Sequence, residues 1–210
     1  MRFADIDAVT VDAYGTLLTL RDPVPALAAA LREHGVKREP VEVARAFRAE
    51  VEYYTASKLG AGDWNSLLEL RRACTAVFLE AADAPLDATA FEPAFTASLV
   101  FEPLPGAVEA LETLSAQRLP LAVIANWDVS LHDHLRDQRL DRYFAAVVIS
   151  AEVGAAKPDP KPFLLALETL GVAPERAVHV GDSDDDEQGA RAAGLRFAWA
   201  PLAEAVAQWS

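Results

Sequence analysis

Apolar residues along this chain follow two different rhythms. The run Ala8-Val9-Thr10-Val11 is short, rich in β-branched residues and ended by Asp12, the pattern of a strand buried on both faces. From Pro23 to about Val100 the spacing becomes three and four residues. One helix is predicted from Pro23 and Pro25 to near Gly35, and a second carries Val43, Ala46, Phe47, Val51 and Tyr54 before the break Gly60-Ala61-Gly62. A third starts after Asp63 and carries Leu67, Leu70, Cys74, Val77 and Phe78, and a fourth covers about 87–100. No convincing strand pattern interrupts these roughly eighty residues.

Beyond Pro103 and Pro105-Gly106 the rhythm alternates. Helices are predicted over 107–117, 129–138, 161–170 and 187–193, with strands over 119–125, 146–150, 177–181 and 196–200. Strands separated by helix-length segments form right-handed βαβ units, hence a parallel sheet. The predicted fold is therefore a doubly wound α/β core from 1–18 and 103–210, interrupted by an all-helical insertion over 19–102. Paired prolines and a glycine near 103–106 suit a stiff crossing between the two parts.

The 210 residues include 19 Lys and Arg against 32 Asp and Glu, a formal charge of −13. Without a basic stripe, this balance argues against nucleic-acid or anionic-membrane partners. One cysteine, Cys74, excludes an intramolecular disulfide and reads as a small apolar side chain on a helix. Met1-Arg2-Phe3-Ala4-Asp5 has no apolar signal core, and no run approaches the roughly 20 residues that span a bilayer. The expected location is cytoplasmic.

Candidate chemistry gathers where strands end. Asp12 follows the first strand, at the sheet edge where open α/β folds bind ligands, so it reads as a nucleophile, base or metal ligand; as a bland alternative, it caps a turn around Gly15. Asp182 follows strand 177–181, and Asp184, Asp185, Asp186 and Glu187 crowd behind it. So many acids repel unless a helix N-terminus or a cation absorbs their charge, and convergence with Asp12 favours a Mg²⁺ site of carboxylate oxygens. Lys157 sits before Pro158-Asp159-Pro160, which hold the loop extended. His179 reads as packing beside its strand, while His34, His132, His134, Trp64 and Arg71-Arg72 receive no role.

Four stretches, Asp12-Ala13-Tyr14-Gly15-Thr16, Ile124-Ala125-Asn126, Ala156-Lys157-Pro158 and Gly181-Asp182-Ser183 through Asp186, occur in the order of the four motifs of the haloacid dehalogenase superfamily, which the chain resembles. The resemblance implies a Rossmann-like core with a helical cap between the first two motifs. It also implies Mg²⁺-dependent hydrolysis of a small phosphorylated compound, with Asp12 as the nucleophile. Lys157 would neutralise that aspartate and the phosphoryl group. Asp12, Asp182 and the main-chain carbonyl of Tyr14 would hold Mg²⁺, with Asp186 acting through water or by orienting Lys157. Thr16 and Asn126 would meet the phosphoryl group.

Two positions depart from that pattern. Tyr14 stands where many of these phosphatases carry an acid/base aspartate, and Ala125 where they carry a serine or threonine for a phosphate oxygen. A phenol can donate a proton but is a poor base at neutral pH. The string Asp-Ala-Tyr-Gly-Thr-Leu also looks like the opening of the metal-independent L-2-haloacid dehalogenases. Against that alternative stand Asp182, where those enzymes have small polar residues, and Phe163, where they have tyrosine. A third alternative is a binding protein that keeps the fold without the acid/base group.

Overall fold

The computed structural model describes residues 1–209. Strand β1 (Ala8–Val11) is followed by β2 (Leu18–Leu20), then by helices α1 (Val24–Glu33), α2 (Pro40–Ser57), α3 (Trp64–Ala81) and α4 (Ala88–Ala97), and by β3 (Phe101–Pro103). The remainder alternates: α5 (Ala107–Ala116), β4 (Leu121–Ala125), α6 (Leu131–Asp137), β5 (Ala146–Ile149), α7 (Ser150–Val153), α8 (Lys161–Leu170), β6 (Ala177–Gly181), α9 (Asp184–Ala192), β7 (Arg196–Trp199) and α10 (Leu202–Ala207).

Five strands form one parallel sheet in the order β5-β4-β1-β6-β7, the doubly wound α/β arrangement predicted from the alternation. The chain runs outward from β1 to β4 and β5, then crosses back to place β6 and β7 on the other side. This reversal opens a crevice at the carboxyl ends of β1, β4 and β6. All four residues of β1 are buried, which explains why its sequence shows no polar alternation. Val9, Val11, Val123, Val178 and Val180 face one apolar cluster with Leu111 of α5, Leu131 of α6 and Val206 of α10. Ala8, Ala122, Ile124 and Val148 face another with Phe163 and Leu167 of α8 and Ala190 of α9.

Helices α1–α4 bury their apolar faces mainly on one another, through Leu27, Leu31, Val43, Leu67, Phe78, Phe91 and Phe95. Asp63 caps α3, accepting from the N–H groups of Asn65 and Ser66 at 2.8 and 2.9 Å. The stretch leading into and out of these helices is not strandless, contrary to the sequence expectation. β2 pairs antiparallel with β3, Leu18 opposite Pro103 and Leu20 opposite Phe101, and Arg21 bridges Glu102 at 2.6 Å. Three-residue strands are too short to show a period-two rhythm, and the proline in β3 masks it further. A second tie joins the helices to the core: Val129 N–H donates to the Ala61 carbonyl at 3.1 Å, and a Cβ at Gly62 would overlap the Ala151 carbonyl.

Other boundaries differ in smaller ways. α9 begins at Asp184 rather than 187, because Ser183 caps it and exchanges hydrogen bonds with Asp186. The strand expected to reach Ser150 ends at Ile149, and Ser150 opens the short α7. α10 was not anticipated. Among the described residues, no helix is long and apolar enough to cross a membrane.

Candidate active site

Two neighbouring strands, β1 and β6, deliver the acidic edge. β1 continues past its end through Asp12 N–H, which donates to the Val180 carbonyl at 2.9 Å, so Asp12 is held beside β6. The chain then turns tightly, with Gly15 at φ +83° and its N–H donating to Leu18 O at 2.9 Å. A Cβ at Gly15 would overlap the carboxylate of Asp182. Glycine therefore serves here both for its positive φ and for the room it leaves that acid. Carboxylate oxygens of Asp12, Asp182 and Asp186 lie within 4.8 Å of one another.

Lys157 reaches this group from the loop before α8 and is almost wholly buried. Its ammonium donates to Asp12, to Asp186 at 2.5 Å and to the Ile124 carbonyl at 3.0 Å. Three N–H donors thus meet three acceptors, and the lysine is fully satisfied. Asn126 fixes the loop that carries it: Asn126 Oδ1 accepts from Lys157 N–H at 2.8 Å, and its amide donates to the Lys157 carbonyl at 3.0 Å. The amide expected to meet substrate is thus largely committed to positioning the lysine, leaving one side-chain N–H free.

Asp186 is the most heavily bonded acid. Ser183 Oγ donates to it at 2.5 Å and His179 Nε2 lies 3.1 Å away. An ionised carboxylate only accepts, so Nε2 of His179 carries the proton and Nδ1 accepts from Thr10 Oγ1 at 2.9 Å. His179, expected to be packing, also orients Asp186.

Burial governs the electrostatics. By itself it would raise Asp186, but the His179 hydrogen bond and the charge of Lys157 hold its carboxyl well below the usual range. Burial would likewise lower Lys157, and the charges of Asp12 and Asp186 reverse it. Asp12 is less compensated: desolvation raises it against the pull of Lys157, with Asp186 adding to the rise. Desolvation and the charge of Asp186 also raise Asp182. Three carboxylates facing one ammonium leave an excess of negative charge in an oxygen-only donor set, which matches a hard cation.

The cleft in front of these groups measures about 150 Å³ and is lined also by Tyr14, Lys58, Ala125, Asn126, Trp127 and Ser183. Tyr14 is half exposed, its ring 6.2 Å from that of Trp127. Thr16 lies beneath the loop, fully buried, with its hydroxyl unpaired and outside the lining. The structure therefore brings together Asp12, Tyr14, Asn126, Lys157, Asp182 and Asp186, and leaves Thr16 apart.

A larger cavity, about 280 Å³, adjoins the cleft and shares Tyr14, Lys58, Asn126 and Trp127 with it. Leu67, Leu70 and Phe95 from the helices, with Leu99 and Phe101 beyond them, give it apolar walls. Tyr54 donates to Asp128 across it at 2.7 Å. Glu50, buried on α2, also lines it, and burial pushes its carboxyl up to about 7 despite the opposing influence of the neighbouring Cys74 thiol. Lys58 and Glu50 were missed in the sequence. The Gly60-Ala61-Gly62 break flags the turn after Lys58, but nothing there indicates that the turn meets the core.

Comparison with known proteins agrees with the geometry. The chain is 34% identical over 198 residues to mouse haloacid dehalogenase-like hydrolase domain-containing protein 3, covering 89% of this chain and 78% of that one. It is 41% identical over 123 residues to the phosphoserine phosphatase of Thermus thermophilus, covering 57% of this chain and 49% of that enzyme. A crystal structure of a 2-haloacid dehalogenase from Pseudomonas syringae superposes with a TM-score of 0.62 at 28% identity, covering 92% of this chain and 86% of that one. The sequence model of the haloacid dehalogenase-like hydrolases matches residues 6–194. With the four motifs at one sheet edge and that match over nearly the whole length, the chain belongs to the haloacid dehalogenase-like hydrolase family.

Proposed function

We propose that the protein hydrolyses a small phosphate monoester through an aspartyl-phosphate on Asp12, with Mg²⁺ as cofactor. The observation that carries this reading is the convergence of Asp12, Asp182 and Asp186 on one cleft with a single buried ammonium. Asp182 is the decisive residue, because displacing halide from carbon gains nothing from a second carboxylate beside the nucleophile. The similarity to a phosphoserine phosphatase supports the same choice.

In this reading Asp12, Asp182 and the Tyr14 carbonyl would hold Mg²⁺, with Asp186 helping through water or by orienting Lys157. When bound, the ion supplies Lewis-acid stabilisation of phosphoryl oxygens. The chain's own residues do the rest. Lys157 aims Asp12 and opposes the desolvation that disfavours its charge, and Asp12 attacks phosphorus as the bond to the leaving oxygen breaks. Asn126 and Asp186 hold Lys157 in place from opposite ends. Tyr14, half exposed at the mouth, donates a proton to the leaving oxygen. Helices α1–α4 act as a cap domain, and the apolar cavity beneath them lodges the leaving alcohol.

The test is release of p-nitrophenol from p-nitrophenyl phosphate with MgCl₂. Wild type should turn over, and Asp12→Asn should fall to background while keeping its fold. Burial already disfavours the charge on Asp12, so a neutral amide of the same shape is tolerated there. Undiminished turnover by Asp12→Asn would refute the nucleophile assignment.

A further inference from the structure

The charged and hydroxyl side-chain donors that the core brings to the cleft are already used, apart from the Tyr14 phenol at its mouth. Lys157 has spent all three N–H groups, the Ser183 hydroxyl is given to Asp186, and the Asn126 amide holds the Lys157 loop. Ala125 has no hydroxyl, and that of Thr16 lies outside the lining. A phosphate dianion entering such a cleft needs donors, and an acidic edge offers it repulsion.

Lys58 is different. It lies at the turn after α2, lines both the cleft and the apolar cavity, and makes no ion pair among the described residues. Its ammonium stands 5.6 Å from the centre of the Tyr54 ring, whose hydroxyl is anchored on Asp128. The turn itself is tied to the core through Ala61 and Gly62, as described above. Burial, together with the nearby charge of Lys157, lowers the Lys58 ammonium from the usual lysine range and outweighs the opposing pull of Asp12 and Asp128.

We infer that Lys58 grips an oxygen of the transferring phosphoryl group from the helical side, in the role left open by the missing hydroxyl at Ala125. This rests on the phosphatase reading, and it makes the cleft complete only when the helices sit against the core. Because the Lys58 turn borders both cavities, a substrate held by its phosphate at Lys58 projects its leaving group into the apolar cavity. The anion grip and the choice of leaving group are thereby coupled through one residue.

Inorganic phosphate tests this without turnover. Calorimetric titration in the presence of Mg²⁺ should show binding to wild type, weakened roughly 10- to 100-fold in Lys58→Met, the loss of one charged hydrogen bond. Lys58→Arg should recover most of it. Circular dichroism and thermal unfolding of Lys58→Met should stay close to wild type, since only the contact with the Tyr54 ring is lost. Steady-state hydrolysis of p-nitrophenyl phosphate should show KM raised by a similar factor. Unchanged phosphate affinity in Lys58→Met, or no binding to wild type, overturns the inference. If phosphate binding depends on Lys58 and yet no phosphate ester is cleaved, the grip stands and the hydrolytic reading falls. If hydrolysis proceeds equally in wild type and Lys58→Met with equal phosphate affinity, the reverse holds.

Discussion

Two buried carboxylates in this protein titrate in opposite directions. Asp186 at the sheet edge and Glu50 beneath the helices are 1% and 4% exposed, so burial penalises both. Asp186 receives Lys157, His179 and Ser183 and stays charged far into acid. Glu50 has the Cys74 thiol and apolar walls, and its carboxyl rises to about 7. The difference is one of donors rather than depth: burial alone neutralises an acid, and burial with a cation and hydrogen bonds keeps it ionised. The sheet edge is built to hold charge in place for chemistry. The cavity wall around Glu50 is mostly apolar, and in the proposed reading it selects what the chemistry acts on.

The largest effect that would break this contrast is on stability. Asp186→Asn removes the ionised partner from a buried network and should destabilise the fold by about 3–5 kcal/mol in urea unfolding. Asp186 is lowered in the folded state, so the stability it contributes is present above the ordinary carboxylate range and is lost as pH falls through its folded value. A cost below about 1 kcal/mol would mean that the network is not what holds the edge.

Glu50→Gln should act with the opposite sign. Folded Glu50 keeps its proton up to about 7, against an ordinary value of 4.5. The unfolded chain therefore releases that proton first, and wild type loses stability as pH rises from about 4.5 to about 7, by at most about 3 kcal/mol. The difference in unfolding free energy between Glu50→Gln and wild type should grow across that window and level off above it. A flat difference would show that Glu50 has a counter-charge after all.

A smaller effect concerns Tyr14, which borders both regions. In the proposed mechanism a phenol fills the acid/base position, so breakdown of the aspartyl-phosphate should be the slow step and p-nitrophenol should appear as a burst before a slower steady rate. Tyr14→Asp should raise the steady rate about 10-fold or more. Tyr14 is 52% exposed, so the smaller side chain leaves no hole behind Asp12. Equal steady rates would place the limitation elsewhere.

The same two regions differ in how far they can be read from sequence. Asp12, Asp182 and Asp186 are legible because each follows a strand or its cap, and strand-end position alone carries them to one edge. Lys157 is legible through its resemblance to a family motif, not through any rhythm of its own. The tasks of Asn126 and His179 were hidden because they depend on which loop or acid the fold sets opposite them. Asn126 meets Lys157 across 31 residues, and no pattern in either segment names the other. The β2–β3 ribbon, whose strands lie eighty-odd residues apart in the chain, and the approach of Lys58 to the cleft were hidden for the same reason. Helical periodicity showed that α1–α4 bury one face, but Leu67 and Leu70 in the cavity wall and Phe78 packed away from it share one rhythm.

The most direct measurement sets phosphate and chloride release side by side. Purified protein is given p-nitrophenyl phosphate or L-2-chloropropionate, each with MgCl₂ and with EDTA. The account predicts phosphate release with MgCl₂, its loss with EDTA, and no chloride in either condition. Chloride released at a rate indifferent to EDTA, with no phosphate released, would contradict it.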